Sequence, residues 1–300
     1  MDKKINNKKL ALAVRCIVLS VGLLVSIGFN IYFGVCYMKA ESYLQSSDEI
    51  YIMEAGILKN NAEFRGGEDI RLQYDFSHEN YARLKSEYQL ELTAGEGTEF
   101  ERAKRLMDEY APRLTHDGYY DNHIPVNALD LLEYSLNNPK HGINCRAKAQ
   151  ILNEMCLSLG IYARKVWIMP YSGYDGDCHV VNEVWDSSLG KWIMLDITNN
   201  EYWVDENNAP LSVLEIRKKA ALREFCTPVE VGDRTDNLQK LKKKHIGDFL
   251  YIVKNMAYMQ YCTAYTVGES KEIYLLFPRN LQTDYGLFIS ESSVTSSPIR

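Results

Sequence analysis

The stretch His141-Gly-Ile-Asn-Cys-Arg-Ala-Lys-Ala-Gln150 decides the fold, because it predicts a loop that turns into a helix at a cysteine. Asn144 is a preferred N-cap residue, and Gly160 is a typical helix stop. The thiolate is the reactive form of cysteine, and the amides and positive dipole end of a helix N-terminus lower the pKa of a thiol placed there. Cys145 is therefore a candidate nucleophile. Helical spacing predicts that five residues face the core, namely Cys145, Ala149, Leu152, Cys156 and Leu159.

Three strands are predicted after this helix. The first runs from Tyr162 to Met169, and the next two, His179 to Trp185 and Lys191 to Ile197, form a β-hairpin around a turn-rich linker. Directly opposed residues of antiparallel strands have Cβ atoms about 4.5 to 5.5 Å apart. We expect a register, or one restoring β-bulge, that sets His179 directly opposite Asp196. A shift by one residue would send the two side chains to opposite faces.

Four sequence blocks in this order resemble the transglutaminase-like superfamily, whose core belongs with the papain-like cysteine hydrolases. They are Gly142-x-x-Cys145, Gly160-Ile-Tyr-Ala-Arg164-Lys-Val166, His179-x-x-x-Glu183-Val-Trp185 and Lys191-Trp192-Ile-Met-Leu-Asp196. The resemblance covers residues 120–215. One departure is Ile197-Thr198, which replaces the proline that often follows the acidic residue.

The resemblance implies an α+β fold in which the nucleophile helix packs on an antiparallel sheet. It also implies that Cys145 is the nucleophile, His179 the base and Asp196 the orienting acid. Chemically, His179 can take the thiol proton, and Asp196 can hold the imidazole and stabilise its charged form. The backbone N–H of Cys145 is one candidate oxyanion donor.

This chemistry leads to a thioester on peptide or protein amides, which water or a second amine would release. The sequence therefore favours an amide hydrolase or acyltransferase without a cofactor, and the choice between hydrolysis and cross-linking stays open. The alternative is a catalytically inactive, transglutaminase-like binding or scaffold domain at the cell surface.

The loop before the nucleophile helix contains two histidines and two carboxylates, in His116-Asp117 and Asp121-Asn122-His123. Their spacing matches no helical or hairpin arrangement of metal ligands, so a polar surface loop is favoured and no metal site is expected. His123 is a candidate substrate-binding residue, because its segment lies just before the nucleophile helix.

Residues 16–38 contain no charged side chain, and 23 residues in a helix span roughly 34 Å, enough to cross a bilayer. Basic residues precede this run, so the positive-inside rule places the N-terminus in the cytoplasm and the rest outside the cell. A cleaved signal peptide is the less favoured alternative, since its apolar region is usually about 7 to 15 residues long. The basic residues are Lys3, Lys4, Lys8, Lys9 and Arg15.

The expected organisation is a cytoplasmic basic tail (1–15), a single transmembrane helix (16–38), a stalk or linker (39–65) and an extracytoplasmic transglutaminase-like domain (66–300). The net charge of −6 argues against nucleic acid as a partner, since phosphate binding needs a basic surface. The expected partners are the membrane and a peptide or protein substrate.

Helical spacing also predicts two helices within Ser86 to Tyr110, one over Val126 to Leu136, and two near 211–225 and 236–258, with strands near 261–267 and 272–278. The chain has seven cysteines, and Cys226 with Cys262 is the one pair that we would test for a disulfide.

Overall fold

The computed structural model describes residues 2–232, 238–283 and 286–298 of the 300-residue chain. It divides into two compact units, up to Ile50 and from Tyr51 onward, which are described separately.

The first unit consists of the greater part of helix α1, Asp2–Asn60. The uncharged run 16–38 lies inside this helix, and its side chains are exposed. By length and composition, α1 is apolar enough to cross a membrane. Core helices of soluble proteins and signal sequences meet the same criterion of length and composition.

The second unit contains the remaining helices and all the strands in the described part of the chain. After α1, the helices are α2 Asn80–Glu87, α3 Leu90–Ala94, α4 Glu99–Tyr110, α5 Ala128–Asn137, α6 Cys145–Ser158, α7 Val213–Leu222, α8 Leu238–Lys254 and α9 Glu291–Thr295. The strands are β1 Gln73–Tyr74, β2 Ala163–Met169, β3 His179–Asp186, β4 Lys191–Asp196, β5 Glu201–Val204, β6 Thr227–Glu230, β7 Tyr258–Cys262, β8 Ala264–Tyr265, β9 Ile273–Leu276 and β10 Leu287–Phe288.

The fold is a mixed α/β architecture around one eight-stranded sheet of order β10-β9-β7-β2-β3-β4-β5-β6. All neighbouring strands are antiparallel except the parallel pair β10 and β9. Helix α6 packs against β2 and β3 at the centre of this sheet. The C-terminal third, whose role was not evident from the sequence, extends the sheet because β7 pairs with β2.

Helix α6 begins where the sequence predicts it. The Asn144 side chain accepts a hydrogen bond from the backbone N–H of Ala147 at 3.0 Å, which satisfies one of the unpaired amides at the helix start. The helix ends at Ser158, and Gly160 follows with a φ of +74° that a residue with a side chain rarely adopts. Both ends of the helix are thus set by local sequence.

The β3–β4 register differs from the prediction. Trp185 pairs with Trp192 and Asn182 with Leu195, and this register continues to place Asp196 opposite Val181 rather than His179. The observed pairing is therefore shifted by two residues from the predicted one. The reason is that the strands extend to Asp186 and Lys191, which leaves residues 187–190 as the connecting loop. A shift of two preserves the face, since side chains alternate with a period of two. His179 and Asp196 remain on one face as diagonal neighbours.

Two further details differ from the sequence predictions. The segment Ser86 to Tyr110 holds the end of α2 together with α3 and α4, because it is interrupted both before Leu90 and again at Gly95 to Gly97. All seven cysteines are free, including Cys226 and Cys262.

A buried ion pair joins the second and third sequence blocks. Arg164 pairs with Glu183 directly across β2 and β3, at 2.6 Å, and its guanidinium stacks over Trp192 at 3.8 Å from the ring centroid. The other carboxylate oxygen of Glu183 accepts the backbone N–H of Val213 at 2.9 Å. These motif residues therefore have a structural role, because they fix the central strands to the start of α7.

A buried carboxylate ties α6 to two neighbouring segments. Glu154 is 1% exposed and accepts hydrogen bonds from the backbone N–H of Ala128 and of Gly268, each at 3.0 Å, and from Gln150 at 2.6 Å. Burial raises the pKa of Glu154 to about 7, although these donors oppose the rise.

This raised pKa makes stability depend on pH. Since the unfolded carboxyl titrates near about 4.3, the contribution of Glu154 to the free energy of unfolding is complete below about pH 4 and is lost as pH rises to about 7. We compare the free energy of unfolding of the wild type with that of Glu154→Gln. The wild-type value minus the variant value should fall by on the order of 3 kcal/mol over this pH range. Urea unfolding followed by tryptophan fluorescence measures it, with the exposed Glu133→Gln as control. A difference that does not change with pH would contradict the prediction.

Candidate active site

Cys145 lies at the first position of α6 and lines a cleft of about 380 Å³. Asn144 caps the helix at this end, where the N-terminal backbone amides of α6 also lie. The thiol is partly buried. The cleft is also lined by His116, Trp167, Cys178, His179, Asn199 and Tyr251. The cysteine that the sequence singles out thus opens onto a cleft that also contains a histidine.

The histidine and the carboxylate predicted from the hairpin are in direct contact. His179 Nε2 lies 2.8 Å from Asp196 Oδ2, and both side chains are almost fully buried. This contact leaves Nδ1 as the ring nitrogen available to the thiol. Diagonal placement on the sheet therefore supports the hydrogen bond that direct opposition was expected to give.

Asp196 is held in its charged form by further donors. The backbone N–H of Thr198 donates to Oδ1 at 2.9 Å, and the Asn199 side chain donates to Oδ2 at 3.1 Å. Burial acts to raise the pKa of Asp196, but the His179 charge and these hydrogen bonds hold it below its usual value. The sequence analysis missed Asn199, because an Asx turn at Asp196 predicts the backbone contact to Thr198 but not a side-chain donor at the next position.

The pKa values of the thiol and the imidazole move in opposite directions. Burial acts to raise the pKa of Cys145, but a hydrogen bond from His179 and the charge of its ring lower it. Burial alone would lower the pKa of His179, yet the Asp196 carboxylate and the Cys145 thiol hold it well above its usual value. Both shifts favour a thiolate and imidazolium pair over a neutral thiol and a neutral imidazole.

Helix α8, in the C-terminal third, contributes Tyr251 to the cleft. The Tyr251 ring stands edge-on to the His179 ring at 5.4 Å, and its hydroxyl donates to Asp177 at 3.0 Å. Lys254 pairs with Asp175 at 3.0 Å and with Asp177 at 3.2 Å. The loop 171–177 is thus fixed to α8. No local sequence signal links Tyr251 to His179, because the two residues are 72 positions apart and meet only in the folded chain.

The loop before α6 contributes a different histidine from the one predicted. Both His116 and His123 are exposed, but only His116 is among the residues that line the cleft. The His123 ring contacts the side chain of Asp121 and the ring of Tyr134. Burial lowers the pKa of His116, which favours a neutral ring there.

One group of carboxylates has the composition of a cation site. Oxygens of Glu201, Glu230 and Asp248 lie within 4.8 Å of one another, and Asp248 also lines the cleft. Each of the three also interacts with other groups of the protein.

With this geometry established, the chain can be compared with known families. Residues 86–197 match the Transglutaminase-like superfamily. The match begins in α2, ends one residue after Asp196, and includes Cys145 and His179. No curated protein matches the chain. The matched superfamily includes cysteine enzymes.

The opposed pKa shifts predict how Cys145 reacts with iodoacetamide. The alkylation rate of wild-type Cys145 should reach half its maximum below about pH 8.5, the midpoint of an ordinary thiol. His179→Ala removes the group that lowers the pKa, so the midpoint should move upward. Mass spectrometry of each cysteine peptide after timed alkylation gives both curves. Buried Cys226, whose pKa is raised to about 11, is the internal reference. Equal rates at Cys145 and Cys226 would contradict the prediction.

Proposed function

We propose that this protein is a membrane-anchored thiol enzyme that cleaves or transfers acyl groups at peptide or protein amide bonds. Cys145 is the nucleophile, His179 the general base and acid, and Asp196 the orienting acid. The observation that carries the proposal is the 2.8 Å contact between His179 and Asp196 beside the cleft that Cys145 lines. The match to the transglutaminase-like superfamily supports it.

The reaction proceeds through a thioester. The Cys145 thiolate attacks the amide carbonyl, a carbon–sulfur bond forms, and the backbone N–H of Cys145 stabilises the oxyanion. Protonated His179 gives its proton to the leaving amine as the carbon–nitrogen bond breaks. Neutral His179 then takes a proton from water or from a primary amine, which attacks the thioester. The carbon–sulfur bond breaks, a carboxylic acid or a new amide is released, and the Cys145 thiolate is regenerated beside protonated His179.

Asp196 acts through His179 throughout these steps. Its carboxylate fixes the ring with one nitrogen toward the acid and the other toward the thiol, and it stabilises the imidazolium that forms. Asn199 and the backbone N–H of Thr198 hold the carboxylate in turn.

Turnover is tested with the full-length chain in detergent and a peptide library, with and without a primary amine. The wild type should yield cleaved peptides, amine-linked peptides or both, and mass spectrometry distinguishes them. Cys145→Ala and His179→Ala should lower product formation by at least about a thousandfold, since each removes a reacting group.

Cys226→Ala is the matched control, because it removes a buried thiol away from the cleft and should retain activity. If the wild type forms no product although Cys145 is alkylated as an activated thiol, the enzyme proposal is wrong for these amides. A non-catalytic binding or scaffold domain is then the better description.

We further propose that α1 anchors the enzyme in the cell membrane in a single pass, with the N-terminus in the cytoplasm and the domain outside. The apolar length of α1 and its basic flank support this orientation. The substrate would then be an extracytoplasmic polypeptide, and nucleic acid would not be a partner.

The anchor proposal predicts that the full-length chain sediments with membranes and is released by detergent but not by high salt. A protease added to intact cells should degrade the domain, because it is exposed outside. Two results would contradict the proposal. One is that a chain without residues 1–38 still sediments with membranes, and the other is that the domain is protected from protease until the cells are lysed.

A further inference from the structure

Lys148 is an unusual residue at this site. It lies three residues after Cys145 in α6, so the two side chains fall on neighbouring positions of one helix face. Its side chain is 2% exposed, and lysine is almost never fully buried unless it has a partner. Within the described part of the chain, Lys148 takes part in none of the salt bridges.

The charges that act on Lys148 belong to the proposed active site. Burial lowers the pKa of Lys148 to about 8, while the Asp196 carboxylate and a Cys145 thiolate act to raise it. His116 faces the same region from the loop before α6, and the positive charge of Lys148 helps to keep that ring neutral. Lys148 therefore lies within electrostatic reach of the thiol, of the acid and of a neutral histidine.

The charges of Cys145, His179 and Asp196 do not balance without Lys148. A thiolate, an imidazolium and the Asp196 carboxylate together carry a net charge of minus one, in a region where His179 and Asp196 are 2% and 0% exposed. A net charge in such a low-dielectric environment is unfavourable and drives the group toward its neutral form. The ammonium of Lys148 makes the four groups neutral as a set.

We propose that Lys148 is a positioning residue whose ammonium balances the charge of Asp196 and thereby keeps Cys145 ionised. This inference rests on the proposed function, because it assigns a role within the same site. Lys148 acts through Cys145 and Asp196, and it does not line the cleft.

The other explanation of Lys148 is that its aliphatic stem only packs α6 against the sheet. In that case, replacement by an apolar side chain of similar length would leave the thiol unchanged. The two explanations therefore differ in the reactivity of Cys145, which can be measured without any acyl substrate.

The test is the pH profile of Cys145 alkylation by iodoacetamide in the full-length chain. This reagent is uncharged, so Lys148 cannot attract it directly. Lys148→Met should slow alkylation about tenfold at pH 6 and move the midpoint upward by about one pH unit. Lys148→Gln is a second neutral variant for the case in which Met disturbs folding. Lys148→Arg keeps the charge and should restore most of the rate, whereas Lys140→Met, at an exposed lysine, should have no effect.

The outcomes separate this inference from the proposed function. If wild-type Cys145 already titrates like an ordinary thiol, the proposed function fails. If the wild type is activated but both folded neutral variants keep the wild-type profile, the role of Lys148 is refuted and the enzyme proposal stands. An Arg variant that is as slow as the Met variant would also refute a role for the charge.

Discussion

The antiparallel pairing of β3 with β4 is the constraint on which the site depends. It sets His179 at the start of one strand and Asp196 at the end of the next, on the same face of the sheet. The hydrogen bond between them is possible only because the register preserves the parity of the alternating side chains. A slip by one residue would separate the acid from the base, and the Cys145 thiol would lose the group that lowers its pKa.

The position of α6 is the second requirement, since Cys145 must meet His179 from a different element. The Asn144 cap fixes where the helix starts, and Asn182 of β3 donates to the backbone carbonyl of Ala149 at 2.9 Å. Glu154 links the far half of the helix to the start of α5 and to Gly268. The helix is therefore held along its length, which keeps the thiol at a defined distance from the sheet.

Buried charge is used in two ways in this fold. Arg164 and Glu183 form a closed pair that joins strands and α7, and Arg217 donates to the carbonyls of Met256 and Asn61, at 2.8 and 2.6 Å, just after α8 and α1 end. These groups are held by several hydrogen bonds each, and they link elements of the scaffold. The charges around Cys145 act in opposite directions. His179 lowers the pKa of the thiol, whereas the charge of Asp196 raises it.

The sequence by itself determined the helix that starts at Cys145, the strand that starts at His179 and the strand that ends at Asp196. These features depend on local signals, namely an N-cap, a helix stop and strand-like runs around a turn. Only the tertiary structure decided the two-residue shift of the hairpin, the placement of Tyr251 beside His179, and the choice of His116 over His123 at the cleft. The physical reason is that loop conformation and long-range packing set these contacts, and neither leaves a periodic pattern in the chain.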